Sequence, residues 1–234
     1  MSELYKGYRH PKALIGYAVR LYLRYCLSYR DIQEILLERG IDITYETIRT
    51  WVYKWGSIYA QHIRKRKRTF NDKWHIDEVY LKINGQFYYL WRLVDADGLE
   101  IEILLQKRRN AKAARRFLLK ALKRVGVPTR VLIADKLKST RSARRDVLPT
   151  SEFRAHKGLN NICENSHQPT RNKERQTRKF KDPCLTQKLL ESMGQIMNLM
   201  KIGRYKNTAK EYKNKFKQSI MIWNTIVNGH TNFT

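Results

Sequence analysis

The chain has 234 residues, 42% of them hydrophobic, which fits one large globular domain or two modest ones and excludes a disordered chain. Lysine and arginine number 48 against 21 aspartate and glutamate, a formal net charge of +27; such a domain repels itself unless a polyanion shares the load, so nucleic acid is the expected partner and an anionic membrane its rival. No apolar run approaches the roughly 18 residues of a spanning helix, and the start MSELYKGYRHPK is too polar for a signal peptide, so the membrane reading is weak and a cytoplasmic protein is expected.

Residues 11–38 read as helical, with Pro11 suited to a first turn. Ser28 and Asp31 give a capping-box start to a second helix, SYRDIQEILLERG, which Gly40 ends. Thr44 then caps a third helix, YETIRTWVYKW, whose apolar stripe is Ile48, Trp51, Val52 and Trp55. Two short helices joined by a tight turn describe a helix-turn-helix, in which the second helix enters the major groove. Its outer face carries Tyr45, Glu46, Arg49, Thr50, Tyr53 and Lys54; of these Arg49 can meet guanine edges, and Tyr45 or Thr50 phosphates. An ordinary helical hairpin has the same outline, but the adjoining run HIRKRKR adds Arg64, Lys65, Arg66, Lys67 and Arg68 as phosphate contacts. That run can also be a solvated linker; it is taken as the domain boundary, so residues 1–66 are expected to form an all-α DNA-binding domain.

From Lys73 the hydrophobic period changes to two. WHIDEVYLKI, the turn Asn84-Gly85, QFYYLWRLV, a second turn at Asp95 to Gly98, and LEIEILL predict three antiparallel strands. Glu100 and Glu102 are expected to face solvent on the third. A helix over about Ala111 to Val125 follows, capped by Asn110 and ended by Gly126, and then a short strand VLIA runs into Asp135. A helical crossover after a meander is best satisfied by a fourth strand parallel to the first, giving a mixed β-β-β-α-β sheet with flanking helices, an α/β (α+β) fold.

That order lets Asp77, inside the first strand, and Asp135, past the end of the fourth, share one site. Two carboxylates held together need a proton or a metal, and hard oxygen donors favour magnesium or manganese over zinc. Each acid also has an ordinary role: Asp77 as a surface residue with Glu78 turned inward, Asp135 as a helix N-cap. The cysteines Cys26, Cys163 and Cys184 are odd in number and lack CxxC spacing, and the six histidines form no HExxH, so neither a disulfide framework nor a zinc site is indicated. Further on, CENSHQPTRNKERQTRKF places Glu164 before a run of cations. A carboxylate at a helix start is favoured by the dipole; it can also bind a metal beside a phosphate.

WHIDEVYLKINGQFYYLWRLVDADG, NAKAARRFLLKAL, ADKLKS, HKGLNNICENSHQPTRNKERQTRKFK and RYKNTAKEYK together resemble the DDE transposases of bacterial insertion sequences, the IS-six family in particular, over nearly the whole chain. The resemblance implies an RNase H-like catalytic core over 67–183 and a helical extension of it over 184–234. It implies a triad, Asp77, Asp135 and Glu164, holding two Mg2+ or Mn2+ ions. Glu152 and Glu174 compete for the third place, Glu174 being better placed to pair with Arg171 or Arg178. Lys136 and Lys138 beside the second acid, and Arg171, Lys173, Arg175, Arg178 and Lys179 after the third, are the cations expected to hold DNA. The implied partners are double-stranded DNA of element ends and target and a second copy of the chain, with no small-molecule substrate; the implied setting is the bacterial nucleoid. Ala134 and Thr140 depart from the family's pattern, and the alternative is a non-catalytic DNA-binding protein or a decayed copy.

Overall fold

The computed structural model describes residues 5, 7–135, 138–155, 158, 160–203 and 206–229. It divides into two compact units: Arg68–Gln187, and Met1–Lys67 together with Lys188–Thr234.

The second of these is helical. Its N-terminal part holds α1 (Lys12–Arg24), α2 (Tyr29–Leu37) and α3 (Tyr45–Lys65). At the start of α2, Asp31 N donates to Ser28 Oγ at 3.0 Å and Ser28 N donates to Asp31 Oδ2 at 2.8 Å, so the expected capping box satisfies two orphan donors. Tyr45 N donates to the Gln33 side chain at 3.1 Å, tying the head of α3 to α2. The third helix runs well past its expected end, because Tyr59 and Ile63 continue its buried stripe after Trp55. The run 62–68 is therefore not simply a linker: His62, Arg64 and Lys65 form the last turn of α3.

Two C-terminal helices follow the sheet unit, α8 (Pro183–Leu199) and α9 (Ala209–Val227). Against the expected extension of the catalytic domain over 184–234, residues 188–234 group with the N-terminal helices, on which α9 packs. Trp223 lies edge-on to Tyr59 at 5.1 Å between ring centroids. The Tyr5 hydroxyl meets that of Tyr59 at 2.6 Å and donates to Val227 O at 2.8 Å. A Cβ placed on Gly16 of α1 would stand 2.5 Å from Val227 Cγ2, so a residue without a side chain is what lets the two helices approach.

The sheet unit orders its strands β3-β2-β1-β4-β5. They are β1 (Lys73–Ile83), β2 (Gln86–Asp95), β3 (Glu100–Gln106), β4 (Val131–Ala134) and β5 (Glu152–Arg154), with α4 (Ala111–Val125) before β4 and α5 (Lys138–Val147) after it. Asn84 and Gly85 both take positive φ, 47° and 79°, the conformation a tight hairpin between right-twisted strands requires. Asn110 caps α4 through Ala113 N at 2.9 Å, and Gly126 ends it at φ 84°. β4 pairs with β1 in parallel, Ile76 beside Ala134. This is the expected RNase H-like β-β-β-α-β arrangement. One sheet face packs on α4 and α5 through Trp74, Ile76, Trp91, Leu93, Phe117 and Leu132. Gln187, at the head of α8, accepts from Leu105 N and donates to Ile103 O, which occupies edge groups of β3.

Glu100 and Glu102 do not face solvent; both are buried. A register shift at Leu93/Val94 inserts one extra residue in β3, so the alternation expected of LEIEILL fails. Glu100 thereby reaches Arg92 at 3.2 Å, while Glu102 pairs with Lys120 of α4 at 3.1 Å. Among the described residues no helix is long and apolar enough to cross a membrane.

Candidate active site

Strand alternation decides which acid faces which side. Asp77 lies opposite Arg92 on the sheet face away from α4, whereas Ile76 and Trp91, opposite in parity, belong to the core under α4. Glu78 points with them and is the more deeply buried of the two acids, its side chain 4% exposed against 17% for Asp77. It forms an ion pair with Arg109. Burial raises the Glu78 carboxyl above its usual range against the pull of Arg109, and the charges of Asp77 and Asp135 add to the rise. Because β1 and β4 are parallel neighbours ending in register at Ile76 and Ala134, Asp77 and Asp135 come next to one another along adjacent strands, and Asp135 is exposed.

The third acid arrives on α6 (Asn161–Ser166), which is followed after His167 by α7 (Gln168–Gln176). Glu164 and the cations thus lie on two short helices rather than one. Side chains of this segment dock it on the face that carries Asp77. Asn160 Nδ2 donates to Ile76 O at 2.9 Å. The Cys163 thiol is buried against Arg92 O at 3.6 Å. Burial pushes that thiol above its ordinary range, with the nearby Asp77 charge adding to the effect, so it stays protonated. His167 Nε2 stands 3.3 Å from Asp77 Oδ2. Burial lowers the His167 pKa below the usual imidazole value although the Asp77 contact opposes the change. Arg92 completes the hold: its guanidinium donates to Ser166 O and, at 2.8 Å, to Thr170 Oγ1, while paired with Glu100. Glu164 sits one helical turn after Asn160 and is exposed.

The three expected acids, Asp77, Asp135 and Glu164, are carboxylates with access to solvent, a ligand type that suits magnesium or manganese. The strand pairing puts Asp77 and Asp135 side by side, and α6, which carries Glu164, docks on the sheet face of Asp77. Among the described residues, no three His, Cys, Asp or Glu side chains stand close enough to hold one ion together. The competing acids are engaged elsewhere: Glu152 pairs with Arg154 at 2.7 Å on β5, and Glu174 with Arg171 at 3.2 Å along α7.

The expected DNA-binding cations divide. Lys173 is 1% exposed, turned inward by the helical period of α7 together with Thr170, so its assignment as a DNA contact is corrected. Arg175, Arg178 and Lys179 are exposed, the last two at φ 52° and 71° where α7 ends. Lys136 and the side chain of Lys138 lie outside the described residues. In the helical unit, Glu46, Arg49, Thr50, Tyr53 and Lys54 are exposed on α3; Arg49 pairs with Glu46 at 3.3 Å, and Arg30 stands over the half-buried Tyr45 ring at 4.4 Å. Arg66 is half-buried and Lys67 and Arg68 exposed beyond the helix. His167, Arg92 and Asn160 were not singled out from sequence; their partners lie 74 to 90 positions away along the chain, and the one local signal is the helix break at His167-Gln168-Pro169.

A family model described as a DDE domain matches residues 71–203. The transposase for insertion sequence-like element IS431mec of Staphylococcus aureus (strain N315) is 39% identical over 161 residues, spanning 67% of this chain and 71% of that protein. The transposase for insertion sequence element IS257 in transposon Tn4003 of Staphylococcus aureus is 38% identical over the same length and shares. Among solved structures, the HTLV-2 integrase catalytic core domain in complex with magnesium is similar at a TM-score of 0.43 and 14% identity, covering 59% of this chain and 90% of that one.

Proposed function

Because the chain belongs to the DDE transposases of bacterial insertion sequences, the IS-six family, we propose that it binds the terminal inverted repeats of such an element, cuts a DNA strand there and joins the freed end to target DNA. The observation that supports this reading is the parallel pairing of β1 with β4, in register up to Ile76 and Ala134, the residues just before Asp77 within β1 and Asp135 past the end of β4.

In the hydrolytic step a water oxygen bonds to phosphorus as the P–O3′ bond breaks, leaving a 3′-hydroxyl. In the transfer step that hydroxyl bonds to a target phosphorus and another 3′-oxygen leaves. Two divalent ions, magnesium or manganese, would supply activation of the attacking oxygen and neutralisation of the leaving one. Asp77 and Asp135 hold them from the sheet, and Glu164 completes the ligand set from α6. Asn160, Arg92 and His167 act on these carboxylates by position: the first two anchor the helix that carries Glu164, and His167 fixes one oxygen of Asp77. No covalent link to the protein is needed.

The helix-turn-helix supplies recognition, with Arg49 reading base edges and Tyr45, Thr50, Tyr53 and Lys54 meeting phosphates beside it. Arg64 to Arg68, and Arg171, Arg175, Arg178 and Lys179, hold backbone by charge. Two copies of the chain hold two element ends, in the bacterial cytoplasm on nucleoid DNA.

The decisive experiment compares wild type with Asp77→Asn on labelled terminal DNA. The variant is expected to bind with unchanged affinity and to cut nothing, and chelation of divalent ions is expected to stop the wild type. Cutting by Asp77→Asn overturns the assignment. A wild type that binds the ends and never cuts, with magnesium or manganese, identifies the decayed-copy alternative.

A further inference from the structure

The β1–β2 ribbon outruns the rest of the sheet. The last pair of β2 with β3 is Tyr89 with Gln106, yet β1 and β2 go on pairing through Tyr88, Phe87 and Gln86 to the turn. The two faces of this projecting ribbon are unlike. Leu81 and Ile83 are buried on one. On the other, Tyr80 is 48% exposed and Phe87 64%.

Tyr80 pairs across the strands with Tyr89, and Lys82 with Phe87, so these four side chains share a face. The Tyr80 and Tyr89 rings are 4.9 Å apart, and Tyr89 itself leans on the core under α4. Lys82 Nζ stands 5.5 Å from the Phe87 ring centre, and Arg109 Nη1 donates to the Tyr80 hydroxyl at 3.1 Å. Glu78, next along the same face, is buried and already paired with Arg109. The result is a stripe from the edge of the core to the hairpin tip, with ring faces in its middle and cations at both ends.

We propose that this stripe binds single-stranded DNA, stacking unpaired bases on Phe87 and Tyr80 while Lys82 and Arg109 meet the adjoining phosphates. Aromatic platforms flanked by cations take single strands because an unpaired base offers its π-face, whereas the bases of a duplex are already stacked on each other. Charge selects the same occupant: a chain of net +27 attracts a polyanion. The inference rests on the transposase reading for the source of the strand, which would be the unpaired strand of an opened element end.

The test is fluorescence anisotropy on the full chain with an oligo-dT of about 12 nucleotides, within the span of known single-strand sites, and with a blunt duplex of equal length. Tyr80→Ala with Phe87→Ala is expected to weaken oligo-dT binding at least roughly ten-fold, since each stacked base contributes at that scale, and to leave duplex binding within about two-fold. Phe87→Trp, which keeps a platform, is expected to retain single-strand affinity. Thermal melting of each variant guards against misfolding, to which these exposed positions should be indifferent. Equal loss on both DNAs, or no loss on oligo-dT, overturns the proposal; so does a change of sedimentation from dimer to monomer, which would make the stripe a contact between copies. Asp77→Asn is expected to keep the single-strand preference, so cutting by that variant would sink the transposase reading and leave the stacking result standing.

Discussion

The two units bury different chemistry. The helical unit closes on rings: Trp51, Trp55, Tyr59 and Trp223 are almost wholly inaccessible, with Tyr5 stacked on Trp55 at 4.3 Å. The sheet unit has an apolar layer under α4, but its other interior holds Arg92, Glu100, His167 and Lys173 out of water. Apolar burial stabilises in proportion to area and tolerates repacking. A buried ion pair roughly breaks even against an apolar pair of like shape, yet is costly to break from one side. The sheet unit thus holds α6 and α7 by directional bonds that accept one geometry, and the helical unit by contact area.

That contrast can be broken in steps of decreasing size. Removing one member of the buried pair, by Arg92→Ala, takes the guanidinium charge from the buried Glu100 and its hydrogen bonds from Ser166 O and Thr170, and is expected to cost about 3–5 kcal/mol in urea unfolding. Hydrogen exchange should show the loss centred on residues 160–176 while α1 to α3 keep their protection. Arg92→Lys retains a charge for Glu100 but not the fork, so a smaller loss with faster exchange at α6 is expected; wild-type exchange there would mean that Arg92 does not anchor the segment. In the helical unit, Gly16→Ala drives a methyl into Val227 and is expected to cost about 1–3 kcal/mol, read by urea unfolding and confined by exchange to α1, α3 and α9. Smallest is Ser28→Ala, which empties the capping box of α2 for about 1 kcal/mol by the same measurement.

Local patterns carried most of the fold to the page. The Asn84-Gly85 turn, the cap at Asn110 and the stop at Gly126 are short-range choices, each read from residues within four positions, and β4 beside β1 followed from the handedness and length of one crossover. The adjacency of the strand positions of Asp77 and Asp135 followed from the same pairing. What local pattern misjudged was burial. Lys173 sits in a run of cations that looks solvated, and only the docking of α7 shows it turned inward. Glu100 and Glu102 alternate with isoleucines as an exposed pair would, and a one-residue bulge defeats that alternation. Arg92 gave no signal and His167 only a helix break, since each meets partners more than seventy residues away. The docking of α9 was invisible on the same ground: Tyr5 and Val227 are 222 positions apart.

That last contact has a consequence for how the protein comes into being. On the ribosome the three N-terminal helices emerge first, with Gly16, Trp55 and Tyr59 lacking the surface that finishes their interior. The sheet, whose contacts are nearer in sequence, can form while they wait, and the helical unit is sealed when Trp223 and Val227 are at last released. A message cut short before α9 would therefore yield a chain with its sheet unit complete and its helical unit unfinished.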